Sequence, residues 1–433
     1  MAIPRLRILI IAHEMSPIQG SECATGWNIS TRLAAYHDVT VIYATGSQAK
    51  PESYRDALEE YERKHGKVAA VEFIAVDQPE KTLKLAKRNQ KFSRLGPTGL
   101  PVLYFLGYRY WEMEAYKVAE KLHRQKPFDA VHHLTQLAFR EPGYCWKLGI
   151  PFFWGPTGGV GPLPSSFYKI LSFKAALIER LRGYSNAKIF RSTERIIEAN
   201  KSAAVIYVYS LEDQALFQKR AKGKVSLMLD VGTQIHDGLT RSNSEDHKII
   251  KGIWCGHIIE RKAPELLLRA LAKSEDTKTK IRFTILGDGP LAEPMKALAK
   301  ELGLTNIDWV SNVNRETVFK MMAASDFFVH TSLREATSNV IPEALSTGLP
   351  VICHDANGMS LAINPACGIK IPLVDPQTSI NGFHEAMQKL INDRSLLKKM
   401  QQGALKRSEE ISWDNMARTM AGDYAEAAGK KYT

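Results

Sequence analysis

The chain has 433 residues, 44% of them hydrophobic and 24% charged, a globular mixture with room for two or three domains and no bias toward disorder. Lysine and arginine number 58 against 46 acids, and the formal net charge of +12 favours an anionic partner: nucleic acid, anionic lipid or a phosphorylated ligand. No run reaches the ~18–20 apolar residues that span a bilayer, and five dispersed cysteines without a Cys-x-x-Cys pair read as reduced thiols, not as a disulfide framework or zinc site.

The first apolar run, Ile8 to Ala12, is too short for a signal peptide and leads into His13 and Glu14 without a cleavage site. It reads as the buried first strand of a cytoplasmic protein. Strands are expected at 7–11, 39–43, 71–75, 130–133, 152–154, 204–207 and 225–229, with helical patterns between them. After the first strand, Gly20 and Ser21 precede a helical pattern, and Ser21 is suited to cap it with amides facing an anion. The strand at 130–133 ends at a histidine pair, His132 and His133, with His133 nearer the strand end. Residues 154–162 hold four glycines, Gly158 and Gly159 among them, and read as an acceptor loop lining a cleft.

A polar stretch, 237–248, has linker composition. The alternation then restarts with strands at 250–255, 281–286, 307–310, 327–330 and 351–353 and helices at 264–273, 291–302, 316–324 and 340–347. The expected architecture is α/β: two doubly wound Rossmann-like domains, residues 1–237 and 238–411, facing each other across a cleft. Ligands in such sheets bind beyond the carboxyl ends of the strands. The tail, 412–433, contains an amphipathic helix at 413–428 that packs on its own domain or crosses back to the first.

The richest segment is 331–353, TSLREATSNVIPEALSTGLPVIC. Glu335 falls on the loop after a strand and Glu343 early in the following helix. Ser338 is positioned as the N-cap, Pro342 falls early, and Gly348 and Pro350 end the helix. Two ionised carboxylates at a strand end suit the hydroxyls of a ribose or hexose. Free amides at Ser338, Asn339 and Val340 suit a phosphate. Upstream, 254–262 (WCGHIIERK) places His257, Arg261 and Lys262 after one strand, and 286–290 (LGDGP) places Gly287 and Gly289 after the next.

These three motifs, in this order, resemble the retaining glycosyltransferases of family 4, also called glycosyl transferases group 1. That family has the GT-B fold, with two Rossmann-like domains. Its signature of two glutamates eight positions apart is matched by Glu335 and Glu343, followed by Ala344, Gly348, Pro350 and Val351. The resemblance implies that Glu335 contacts the donor hexose, that Glu343 contacts the nucleotide ribose, and that Lys262, with Arg261 or His257, binds the donor diphosphate. Gly287 and Gly289 correspond to the turn below the base, and Gly20 and Ser21 to the loop that touches the donor phosphates from the other domain. His133, with His132 as its competitor, corresponds to a histidine near the transferred sugar. Ala336 stands where the family usually has glycine, and His257 where it has arginine.

The expected activity is a hexosyltransferase that retains anomeric configuration and needs no metal, since no Asp-x-Asp motif occurs; no cofactor is expected beyond the nucleotide-sugar substrate. Its acceptor would be a glycan, polysaccharide or lipid-linked molecule. Rival readings are an epimerase or phosphorylase on the same fold and a nucleic-acid-binding protein, but no zinc spacing, Walker loop or aromatic RNA motif supports the last. Basic residues cluster at 81–94, followed by Tyr104, Phe105, Tyr108, Tyr110 and Trp111, and again at 167–190 among apolar residues. Both suit a peripheral contact with the anionic inner face of a membrane.

Overall fold

A computed structural model describes residues 3–95, 99–234, 249–311 and 313–429, and the expected linker at 237–248 lies outside them. The chain divides into two compact units. One holds Met1–Val160, Ala187–Val231 and Trp413–Thr433; the other holds Gly161–Asn186 and Gly232–Ser412.

The first unit is built on a seven-stranded sheet: β1 Arg7–Ala12, β2 Asp38–Ala44, β3 Val71–Val76, β4 Ala130–Thr135, β5 Phe152–Thr157, β6 Ala203–Val208 and β7 Lys224–Leu227, in the order β3-β2-β1-β4-β5-β6-β7. Every pairing is parallel. Helices cover both faces, so the central strands are apolar throughout, as in the run RILIIA, of which only Arg7 is not buried. The helix Trp413–Ala427 belongs to this unit and buries Met416, Ala417, Met420, Ala421 and Tyr424. Polar contacts fix it: His37 Nε2 lies 3.2 Å from the Ala421 carbonyl oxygen, and the Tyr207 hydroxyl donates to Asp423 Oδ2 at 2.8 Å.

The second unit is built on a six-stranded parallel sheet: β8 Ile250–Cys255, β9 Ile281–Leu286, β10 Ile307–Val310, β11 Phe327–His330, β12 Val351–His354 and β13 Gly368–Ile371, in the order β10-β9-β8-β11-β12-β13. The last strand was not expected; its four residues, GIKI, are too short to stand out from sequence. The segment Gly161–Asn186, expected in the first domain, lies in this unit instead. Phe167 is the reason: it is fully buried, its ring packs on His354, and the neighbouring Ser166 donates to the Val374 carbonyl at 2.5 Å.

In each sheet the strand order reverses once, between β1 and β4 and between β8 and β11. At such reversals the loops of doubly wound sheets diverge, and ligands usually bind at the carboxyl ends of the strands there.

Candidate active site

In the second unit, the loops after β8, β9 and β11 meet at the reversal. The β8 loop runs into a short turn, Glu260–Lys262, whose last amide bonds the Ile259 carbonyl. Ala263 then takes a left-handed conformation (φ 44°, ψ 50°) and starts the helix Pro264–Leu271. That turn is stitched to the β11 loop. The Thr331 hydroxyl donates to the Lys262 carbonyl at 2.6 Å and accepts from Trp254 Nε1 at 3.0 Å, while the Leu333 amide donates to the Arg261 carbonyl at 2.9 Å. Backbone thus locks to backbone, and the side chains of Arg261, Lys262 and Glu335 converge.

Lys262 Nζ lies 2.5 Å from Glu335 Oε1, and Arg261 pairs with the same oxygen. Lys262 is nearly buried, and burial pulls its ammonium below the ordinary lysine range while Glu335 opposes the shift. Its ammonium also donates to Ser338 Oγ at 3.3 Å. Ser338 is not the N-cap that was expected. Its φ is 69°, and the helix Val340–Ser346 is capped by Asn339 without a side-chain bond. The hydroxyl is turned toward Lys262 instead. Ala336 is accommodated because it is not among the positive-φ residues; its carbonyl accepts from the Gly358 amide at 2.8 Å.

Glu343 sits on the first turn of that helix, mostly buried, with Arg315 donating to its Oε1 at 2.9 Å. Burial raises its carboxyl above the ordinary range, and Arg315 partly offsets this. Arg315 was not anticipated, and no motif marks it. Beside these groups lies an open depression of about 620 Å³, lined by Cys255, Gly256, His257, Leu286, Gly287, Asp288, Gly289, Val313 and Val318. Gly287, at φ 147°, allows the β8 and β9 loops to touch: a Cβ there would stand 1.9 Å from the Gly256 carbonyl oxygen. His257 is exposed in this depression. Glu335, Lys262, Arg261, Ser338, His257, Gly287 and Gly289 therefore all lie at the loops on the carboxyl edge of one sheet, with Asn339, Val340 and Glu343 at the start of the adjoining helix.

The first unit departs further from expectation. His132 and His133 are internal, because β4 continues two residues beyond them to Thr135. His132 is fully buried, with Nδ1 2.5 Å from the Tyr424 hydroxyl and Nε2 2.6 Å from the Gly155 carbonyl oxygen. Both nitrogens are engaged, so its place is structural. His133 has Nε2 3.0 Å from the Glu141 carbonyl oxygen, and its Nδ1 faces buried Glu112 at 3.8 Å. Burial lowers the two rings to about 3 and about 4. The loop after β5 is likewise closed: the Gly159 and Val160 amides donate to the buried Asp213 carboxylate at 2.8 and 3.1 Å. Gly158 packs on the same carboxylate, since a Cβ would lie 2.4 Å from Asp213 Oδ2. Gly20 and Ser21 are exposed just before the helix Glu22–Leu33, with Ser21 at φ 58° and making no side-chain cap.

At the β1 reversal stand residues that had not been singled out for a role. His13 is buried, packs against Tyr108 and Trp111, and has Nε2 2.9 Å from Gln78 Nε2. Glu14 is buried beside it, and Glu22 is raised well above the carboxylate range by burial, then by Glu14. The sequence signal was their position directly after the first strand.

Residues 240–407 match the profile of the family described as Glycosyl transferases group 1. A D-inositol 3-phosphate glycosyltransferase of Streptomyces bingchenggensis is 30% identical over 187 residues, covering 40% of this chain and 40% of that protein. The chain thus spans about two fifths of the length of such relatives. Among solved structures, the sucrose-phosphate synthase of Thermosynechococcus elongatus superposes with a TM-score of 0.61 at 16% identity, covering 98% of this chain and 99% of the other. Anabaena Alr3699/HepE, solved in complex with UDP and glucose, superposes with a TM-score of 0.55 at 16% identity, covering 98% and 100%. At these identities the structures speak for the fold alone, and that fold is two Rossmann-like sheets of the GT-B class. Over its second half, residues 240–407, the chain is similar to the group 1 glycosyl transferases.

Proposed function

We propose that the chain transfers a hexosyl group from a nucleoside-diphosphate sugar to a hydroxyl of a glycan or lipid-linked acceptor, with retention at the anomeric carbon and without a metal. One observation carries this reading: an arginine and a nearly buried lysine share one carboxylate at the β8/β11 reversal, beside an open depression. The diphosphate is assigned to Lys262 and Arg261. An anion arriving there meets cations already oriented by Glu335, so stabilising the charge that develops on the leaving diphosphate needs little reorganisation. This gives Lys262 and Arg261 the neutralising role that a metal fills elsewhere. Glu335, once the cations turn to phosphate, presents its carboxylate to the sugar hydroxyls. Glu343 takes the ribose, and the depression walled by Leu286, Val313 and Val318 takes the base. The D-inositol 3-phosphate glycosyltransferase is the relative that favours a hydroxyl acceptor.

The test is a screen of nucleotide sugars for release of the nucleoside diphosphate in the presence of pooled glycan and lipid-linked acceptors. Products are then examined by NMR for anomeric configuration. The reading expects an α-linked product from an α-linked donor. An inverted product, or interconversion of sugars with no transfer, overturns it.

A further inference from the structure

The helix Phe173–Ser192 has an apolar face that nothing covers among the described residues. Phe173 is 86% exposed, Leu177 46%, Leu181 60% and Tyr184 72%. The spacing i, i+4, i+8, i+11 puts all four on one stripe about 16 Å long. Burying such residues is what normally stabilises a helix, so a stripe left open this way calls for a partner. Basic side chains border it: Arg180, Lys188 and Arg191 are exposed on the same side. The only acid in the helix, Glu179, points elsewhere and accepts from Arg334 Nη2 at 3.0 Å.

From this we infer that the stripe docks on an anionic lipid surface, the helix lying flat with its apolar residues among the acyl chains and its arginines and lysine among the headgroups. Charge selects this occupant. A second copy of a chain with net charge +12 would bring like charges together around the stripe, whereas an anionic bilayer complements them. No described helix is long and apolar enough to cross a membrane, so this would be surface attachment. The basic helix Glu80–Asn89 is a weaker candidate. Lys81, Lys84, Lys87 and Arg88 are exposed there, but Tyr108 and Trp111 of the neighbouring helix are buried, so no apolar stripe accompanies the charge.

The docking helix is also tied to the candidate donor loops. Arg334, bound to Glu179, immediately precedes Glu335, and the Ser172 amide donates to Glu260 Oε2 at 3.0 Å, next to Arg261. The attachment itself stands apart from the transfer reaction, and its assay reads binding alone.

The experiment is flotation of the full chain with phosphatidylcholine vesicles, with and without phosphatidylglycerol, alongside sedimentation velocity without lipid. Wild type should float only with phosphatidylglycerol, and less as salt rises. The triple variant Leu177→Ser, Leu181→Ser, Tyr184→Ser should stay in the aqueous layer with an unchanged circular dichroism spectrum. Lys188→Ala with Arg191→Ala should weaken flotation about fivefold for each charge removed. The control Lys81→Ala, Lys84→Ala, Lys87→Ala should float like wild type. Wild type that never floats, a triple variant that floats equally well, or a dimer that the triple variant dissociates would each overturn the inference.

Discussion

The two sheets share one plan and have opposite chemistry at their reversal points. Between β8 and β11 the loops gather Arg261 and Lys262 around Glu335 next to an open depression. Between β1 and β4 they gather His13, Glu14 and Glu22, with Glu14 and Glu22 close enough to repel. Clustered cations suit an anion; clustered carboxylates beside an imidazole suit hydroxyls. Fold alone therefore does not say which half holds the phosphate. The clustered charges are the ground on which we propose that it lies in the second.

That contrast can be broken by substitution, and Lys262→Ala should have the largest effect. It removes the buried cation and leaves Glu335 paired only with Arg261. Transfer, measured as kcat/KM with saturating acceptor, should fall about 100- to 1,000-fold. Glu335→Gln keeps the shape and removes the charge, and a loss of about 10- to 100-fold in kcat/KM is expected. If Glu343 holds the ribose as proposed, Glu343→Ala should act mainly on donor KM, raising it about tenfold with a smaller change in kcat, because such binding is equal in ground and transition states. Similar losses from Glu14→Gln as from Lys262→Ala would erase the distinction between the two reversal points.

Smaller effects sharpen the structural side. His132→Phe should lower the urea midpoint of the first unit, since it strands the Tyr424 hydroxyl and the Gly155 carbonyl at about 1–3 kcal/mol for each buried group left unpaired. Catalytic parameters should move little. Acid should also destabilise this unit. The folded rings of His132 and His133 stay neutral down to about 3 and about 4, against 6.5 for a free imidazole. Between pH 6.5 and about 4 the unfolded chain therefore binds more protons than the folded one. The contribution is full above pH 6.5 and is lost as pH falls. A urea midpoint that stays level over that interval would argue against buried neutral rings.

How much of this was legible in the sequence depended on what each signal required. Strand runs such as IKGIWC and IRFTIL are apolar because both sheet faces are covered, and their bounds are readable. The short β13 was not. Glu335, Lys262 and Arg261 could be located because motif position fixes them at strand ends. Their sharing of one oxygen could not, as it arises from Thr331 and Leu333 binding a distant turn. Histidines misled for a related reason. A strand end is a matter of register, and two extra residues of β4 moved His132 and His133 from the rim to the interior. Asp213, which closes the glycine loop after β5, lies over fifty residues away from it and left no local mark. Ser338 looked like a cap because serine usually is one; the left-handed backbone there turns its hydroxyl to Lys262.

Calorimetric titration of uridine and guanosine diphosphates into three proteins, wild type, Lys262→Ala and Glu14→Gln, gives the most direct reading of where the anion binds. Wild type should bind at least one of the two, with heat that shrinks as salt rises. Lys262→Ala should lose that binding and Glu14→Gln should keep it. Binding unchanged in Lys262→Ala, or absent from wild type, would contradict the assignment of the diphosphate to the second unit.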